Sequence, residues 1–325
     1  MQVLNKSFSM NNLPLFDAHT ISQLIKSKTK ELGFDVCGIA KAEKLSEEEP
    51  RLKNWLEKGF NGRMDYMSNY FEKRLDPTLL VENSKSVIVV LFYYYPPLLQ
   101  NEASGYKISK YAYSRDYQSV IRGKLNLLGE YINEIAPGHL WRAFSDSAPV
   151  REKAWAVKAG LGCIGKHSLL LVPGKGSFFF IGELITSLEL EPDQPYKGNL
   201  CGACTRCINA CPNGAIVEPG VIDARRCIAH QTIESKEDQN SEGVTDFNRE
   251  WIFGCDICQD ACPWNKKPVP HSHKDFQPNE ALLALTKSEW EALTEEQFDE
   301  LFKDSGVKRT KFSGLKRNID FLKNK

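Results

Sequence analysis

Nothing in this sequence is built for a membrane or for export. No apolar run approaches the roughly 20 residues that a spanning helix needs. The amino terminus, MQVLNKSFSMNNLPLFDAHT, has no continuous apolar core and no twin-arginine pair, so it does not read as a signal peptide. Charge of one sign is lacking too: 42 Lys and Arg balance 42 Asp and Glu, which removes any global pull toward nucleic acid. There is no internal repeat. These absences predict a cytoplasmic protein with no membrane partner, a compartment in which disulfides are rare.

The sequence nevertheless holds ten cysteines in 325 residues, and eight of them lie between Cys201 and Cys262. Without disulfides they need another use. The stretch CGACTRCINACPNGA places Cys201, Cys204, Cys207 and Cys211-Pro212 in the spacing C-x2-C-x2-C-x3-C-P, the bacterial ferredoxin pattern. A second group, CDICQDACPWN, supplies Cys255, Cys258 and Cys262-Pro263 but lacks its first cysteine, for which Cys227 is available. In two-cluster ferredoxins the Cys-Pro thiolate ligates the other cluster. One [4Fe-4S] cluster is therefore expected on Cys201, Cys204, Cys207 and Cys262, the other on Cys211, Cys227, Cys255 and Cys258. Two zinc sites are the competing use, but tetrahedral zinc does not need the repeated Cys-Pro ending.

An electron carrier could be built from residues 195–265 alone, so the roughly 190 residues before them carry the functional question. FDAHTISQLIKSKTKELG spaces Ile21, Leu24, Ile25 and Leu32 as a helix that ends at Gly33, a residue suited to stopping one. SVIVVLFYYYPP from Ser86 and SFFFIGELITSLEL from Ser177 predict strands. DYQSVIRGKLNLLGEYINEIAPG predicts a long amphipathic helix with a proline-glycine stop. The order predicts an α/β or α+β sandwich.

Gly160, Gly162 and Gly165 match G-x-G-x-x-G, and GLGCIGKH is one residue short of a P-loop. Either fingerprint should leave a strand and open a helix. Here the preceding PVREKAWAVKAG is itself helical, with Pro149 suited to its first turn, and His167 stands where Ser or Thr would hold magnesium. The glycines read better as a helix stop with tight turns, or as bare backbone that lets a large planar cofactor approach. Asp146, just upstream, has two readings: a helix N-cap, or, if buried, a proton donor whose pKa desolvation raises.

Several stretches together resemble the epoxyqueuosine reductases, cobalamin-dependent iron–sulfur enzymes of tRNA modification. They are EKRLDP at 72–77, YAYSRDYQ at 111–118, SDSAPVREKAWAVKAGLGCIGK at 145–166, IDARRC before the second cysteine group, and KRTKFSGLKRN at 308–318. The resemblance runs over about residues 15 to 320. It implies a nitroreductase-like α/β cobalamin-binding domain over 1–190, a ferredoxin-like domain with two [4Fe-4S] clusters over 191–270, and a helical, basic tail over 271–325. The implied reaction removes the epoxide oxygen of epoxyqueuosine in tRNA anticodon loops, with Asp146 as the proton donor and a separate low-potential electron donor, in a monomeric protein. A base-off cobalamin without a protein cobalt ligand is expected, because no D-x-H-x-x-G stands in the sequence. Arg74, Arg115, Asp116, Asp146, Gly165, Lys166, Ala229 and the segment Cys255, Asp256, Ile257, Cys258 are expected to line its pocket. Longer relatives add a helical-repeat domain, and the resemblance implies a short form without it. From Ser305 to Lys325 seven Lys and Arg face the single Asp320, so Lys308, Arg309, Lys311, Lys316 and Arg317 are expected at tRNA phosphates, joined by Arg225, Arg226 and Lys236. The acidic stretch SEWEALTEEQFDELF reads as one amphipathic helix with a solvated face. A reductive dehalogenase-like corrinoid enzyme and a plain electron-transfer protein are the rival readings.

Overall fold

The central strand explains the architecture. Ser86–Tyr93 (β2) alternates in a run that is apolar on both sides, and each side is covered. Val87, Val89 and Leu91 pack with Trp155 and Ala156 on one face of the sheet. Ile88, Val90 and Phe92 pack with Ile21, Ile25, Ile121, Leu125, Leu128 and Ile132 on the other. A strand buried on both faces stabilises the sheet by roughly 1.5–3 kcal/mol for each large side chain it hides.

In this computed structural model, which describes residues 17–101, 104–235 and 250–324, β2 pairs antiparallel with Val36–Lys41 (β1) and with Phe179–Thr186 (β4). Trp141–Phe144 (β3) closes the other edge, antiparallel to β4. The order is β1-β2-β4-β3. Helices Ala18–Glu31 (α1) and Tyr117–Ile135 (α2) cover one face, and Glu152–Lys158 (α3) covers the other. Asp17 caps α1 by accepting from the Thr20 amide at 2.7 Å, and Gly33 ends it at φ +88°. A Cβ on Gly182 would meet Ile121 at 2.5 Å, so this glycine lets α2 lie close on β4.

Three expectations about boundaries change. The α3 helix begins at Glu152 rather than at Pro149. The acidic stretch is two helices, Lys287–Ala292 and Glu295–Leu301, each opened by its own capping box at Thr286 and Thr294. Each threonine takes up the orphan amides that start a new helix, and so breaks the run. The tail is also not a free module. Trp251–Phe253 pairs in parallel with Lys107–Ile108. A third core then joins Tyr106, Ile108, Ile252 and Phe253 to Trp290, Phe302, Leu315 and Ile319. Among the described residues no helix is long and apolar enough to cross a membrane.

Candidate active site and cysteine groups

The chain turns sharply at both Cys-Pro pairs, and proline is the reason. The short helix Arg206–Ala210 stops at Cys211, whose backbone is extended at φ −70°, ψ 109°. Cys262 leaves the helix Ile257–Asp260 in nearly the same way, at φ −71°, ψ 127°. A following proline disfavours the helical region for the residue before it, so each Cys-Pro thiol departs from the turn that holds its sequence neighbours.

The structure brings the eight cysteines together as two groups. Burial raises the Cys262 thiol above its ordinary range, and the neighbouring Cys201, Cys207 and Cys204 add to the rise. Burial likewise raises Cys258 well above that range, with Cys227, Cys255 and Cys211 adding to it. Cys262 thus stands with the first run, and Cys211 with the second. Amides point at the sulfurs: Lys166 N–H donates to Cys201 Sγ at 3.4 Å and Ala215 N–H to Cys211 Sγ at 3.3 Å. The amides of Ala229 and His230 approach Cys227, and that of Ile257 approaches Cys255. Thiols buried together keep their protons unless a cation pays for the charge.

The glycine motif serves packing. Gly160, at φ +79°, follows Ala159, the C-cap of α3. A Cβ on Gly162 would meet the Leu171 carbonyl at 2.0 Å, and one on Gly165 the His167 ring at 2.7 Å. The segment is a helix stop running into a small hairpin that pairs Cys163–Ile164 with Leu170–Leu171. It reaches the first cysteine group through Lys166, whose Nζ donates to the Gly202 carbonyl at 2.9 Å.

Asp146 caps no helix. The N-cap of α3 is Arg151, and no side chain bonds there. Asp146 is exposed and sits at φ +50°, a left-handed backbone that a non-glycine residue holds only at some cost in strain. The first turn of α2 grips its side chain: Tyr117 Oη donates to Oδ2 at 2.6 Å and Gln118 Nε2 donates to the same oxygen at 3.0 Å. The Asp146 amide donates to Glu152 Oε1. Burial therefore falls on its neighbours instead. It pushes the Glu152 carboxyl up to about 8, helped by the charge of Asp146. Glu183, opposite Phe144 in the sheet, is fully buried with both carboxyl oxygens unpartnered. Burial raises it well above the carboxylate range, with Glu152 and Asp146 adding to the rise.

Tyr111 links this corner to the second cysteine group. Its hydroxyl is shielded by burial and feels both Asp146 and Asp256. Its ring lies 6.3 Å from Tyr117 and 6.0 Å from Phe253, and Tyr117 stacks on Phe180 at 4.1 Å. The sequence reading passed over Tyr111, Tyr117, Gln118, Glu152 and Glu183. Glu183 had a visible signal, a lone carboxylate among the first eight residues of the buried run SFFFIGELITSLEL.

The remaining expected residues are scattered in role. Asp256 is buried and accepts from the Lys110 amide at 2.8 Å and from its Nζ at 3.3 Å. Arg74 is buried and donates to the carbonyls of Asn69 and Tyr66, pinning that loop. Asp116 caps α2 by accepting from the Gln118 amide. Arg115 is exposed near the same turn. In the tail, Arg309 pairs with Glu234 at 2.7 Å and feels the charge of Asp146, so it faces the site. Lys308 pairs loosely with Asp299 at 3.6 Å, and Lys316 with Asp320 at 3.3 Å. Arg317 bonds the Asn318 side chain, and Lys311 is exposed. Arg225 is held by Asp223 through two bonds of 2.8 Å, while Arg226 is exposed and donates to the Gly214 carbonyl. Lys236 lies outside the described residues.

Residues 200–265 match the family described as a 4Fe-4S double cluster binding domain. Joined to a separate α/β sandwich, that segment defines an iron–sulfur oxidoreductase. Residues 74–147 match the family described as epoxyqueuosine reductase QueG, DUF1730. An epoxyqueuosine reductase from Cellulophaga algicola is 54% identical, over 93% of this chain and 98% of its own length. A solved epoxyqueuosine reductase holding an epoxyqueuosine-modified tRNA-Tyr stem loop is 26% identical, with a TM-score of 0.84 over 94% of this chain and 81% of that one. One from Bacillus subtilis, whose catalytic aspartate loop is swung out of the active site, is 25% identical with a TM-score of 0.83, over 94% of this chain and 82% of that one. The chain belongs to the epoxyqueuosine reductase family.

Proposed function

We propose that this chain removes the epoxide oxygen of epoxyqueuosine in tRNA to give queuosine, and that Asp146 supplies the proton. The reaction takes up two electrons and two protons, forms a carbon–carbon double bond and releases water. Oxygen leaves poorly as a bare oxide, so an acid must reach it as the bond breaks. One observation carries the assignment. Asp146 is held in a left-handed backbone with Oδ2 gripped by Tyr117 and Gln118, an arrangement that serves no helix and orients a carboxyl toward solvent.

Cys201, Cys204, Cys207 and Cys262 are the proposed ligands of one [4Fe-4S] cluster, and Cys211, Cys227, Cys255 and Cys258 of the other. Tyr111 and Tyr117, with rings 6.3 Å apart, and the Ile257 amide beside Cys255 are the groups proposed to meet a flat ring system between Asp146 and Cys255–Cys258. Cobalamin bound there supplies a centre reducible one electron at a time. Tyr111, Tyr117 and Arg115 are its proposed wall, Tyr117 and Gln118 fix the acid, and Arg309 faces the substrate side.

Asp146→Asn tests the reading. It keeps the size and removes the transferable proton, so iron content and cobalamin binding persist while conversion of epoxyqueuosine falls by about 10²-fold or more. Near-normal turnover by this variant, measured by mass analysis of tRNA nucleosides, rejects Asp146 as the acid.

A further inference from the structure

The stretches that carry the first cysteine group are rich in cations and contain no carboxylate of their own. Three stretches surround Cys201, Cys204, Cys207 and Cys262: residues 160–176, 194–217 and 261–274. None contains Asp or Glu, and they hold two, two and three Lys or Arg respectively. The chain as a whole has no net charge, so this is a local accumulation. Lys175, Lys197, Arg206, Lys266 and Lys267 are exposed and make no ion pair among the described residues. Arg206 adjoins Cys207, and Lys266 donates its amide to the Pro263 carbonyl just after Cys262.

The middle of this surface is apolar. Trp264 is 39% exposed and Val269 75% exposed. Trp264 Nε1 donates to the Leu200 carbonyl at 2.9 Å, which fixes the indole beside the first cysteine run. Lys175, Trp264, Lys267 and Val269 share the wall of a cavity of about 350 Å³. The carboxylate on that wall, Asp35, is engaged by His273 at 3.0 Å and by the Tyr93 amide at 2.7 Å. A small apolar centre with a charged rim is the make-up of transient protein contacts, and the rim charge sets the rate of encounter.

Position decides which partner fits. Asp146 accepts from Tyr117, whose ring lies 6.3 Å from that of Tyr111, and Tyr111 lies 6.0 Å from Phe253, two residues before Cys255, so the reacting base is handled beside the second cysteine group. Electrons must enter at the other group. We propose that the face formed by Lys175, Arg206, Trp264, Lys266 and Lys267 docks a small acidic protein that carries one electron at a time, an inference that rests on the cluster assignment above. At each encounter the carrier loses one electron and the [4Fe-4S] cluster held by Cys201, Cys204, Cys207 and Cys262 gains it. Two encounters supply the two electrons of the reduction.

The test uses the full anaerobic protein, an acidic flavodoxin as the probe, and the charge-reversed variant Lys266→Glu/Lys267→Glu. For the wild type, flavodoxin binding and the rate of cluster bleaching by reduced flavodoxin fall steeply with salt. In the variant the bleaching rate constant drops by about tenfold or more, within the range electrostatic steering covers, and oxidised flavodoxin binds more weakly by calorimetry. Bleaching by reduced methyl viologen, a small cation that needs no docking and is not repelled by the new carboxylates, is not slowed. Unchanged flavodoxin binding and bleaching in the double variant and in Arg206→Glu/Lys175→Glu overturns the proposal. So does a loss of affinity for a tRNA stem loop with flavodoxin binding intact, which makes the face an RNA contact. Viologen-driven bleaching without any conversion of epoxyqueuosine sinks the functional reading alone, because docking is read from binding and bleaching.

Discussion

Glu183 shows how much one buried side chain says about the site. It is fully buried without a hydrogen-bond partner, on a strand whose neighbours are apolar, so it folds as the neutral acid. Glu152, raised to about 8, shares the effect. Both carboxyls titrate higher in the folded chain than the ordinary value of 4.5. The folded state therefore binds more protons, and the stability they contribute is fully present below that value. It is lost as pH rises, for Glu152 by about pH 8. Glu183→Gln keeps the size and removes the titration. Thermal unfolding should show the variant gaining on the wild type as pH rises above 4.5 and matching it near pH 4.5. Parallel curves for the two would mean that Glu183 is charged in the fold.

Among the elements, the turn after each Cys-Pro pair makes the sharpest claim. Because Cys262 leaves its helix in an extended backbone and stands with Cys201, Cys204 and Cys207, Cys262→Ser should remove the cluster held by the first run. The second should stay. Iron content then falls by about half, as loss of one of two four-iron clusters requires. Adding Cys258→Ser should remove the remaining iron. If the single variant instead loses only the cluster of Cys211, Cys227, Cys255 and Cys258, the crossover is wrong. The spacing is what proposes this partition. The split of the acidic stretch at Thr294 was less visible, because a capping box and a mid-helix threonine look alike until the chain bends.

For the molecule as a whole, the tail both completes a core and presents charge. Trp290, Phe302 and Leu315 cover Ile252 and Phe253, two residues before Cys255, so the tail supports the second cysteine group. Several of its cations are partly neutralised: Arg309 by Glu234 and Lys316 by Asp320. Lys308 and Lys311 are exposed, and the pairing of Lys308 with Asp299 at 3.6 Å is loose, a contact that contributes little. Replacing both with alanine should flatten the dependence of log K for tRNA on log salt by about 1.5–2 units, near one per phosphate contact. An unaltered slope in filter-binding titrations would leave the tail as a packing element alone.

The sequence by itself determined what could be written as spacing. The β2 run and the α1 and α2 helices with their stops all depend on residues close along the chain or on a fixed interval. Tertiary structure alone decided the rest. Asp146 became a gripped, exposed carboxyl because Tyr117 and Gln118, about 30 residues earlier in sequence, reach it across the top of the sheet. Arg74 and Asp116 went to a buried loop and a helix cap, since carbonyls and orphan amides there needed partners more than solvent did. Lys175 and Lys267 come from separate stretches, and only the fold brings them to one cavity wall beside Trp264.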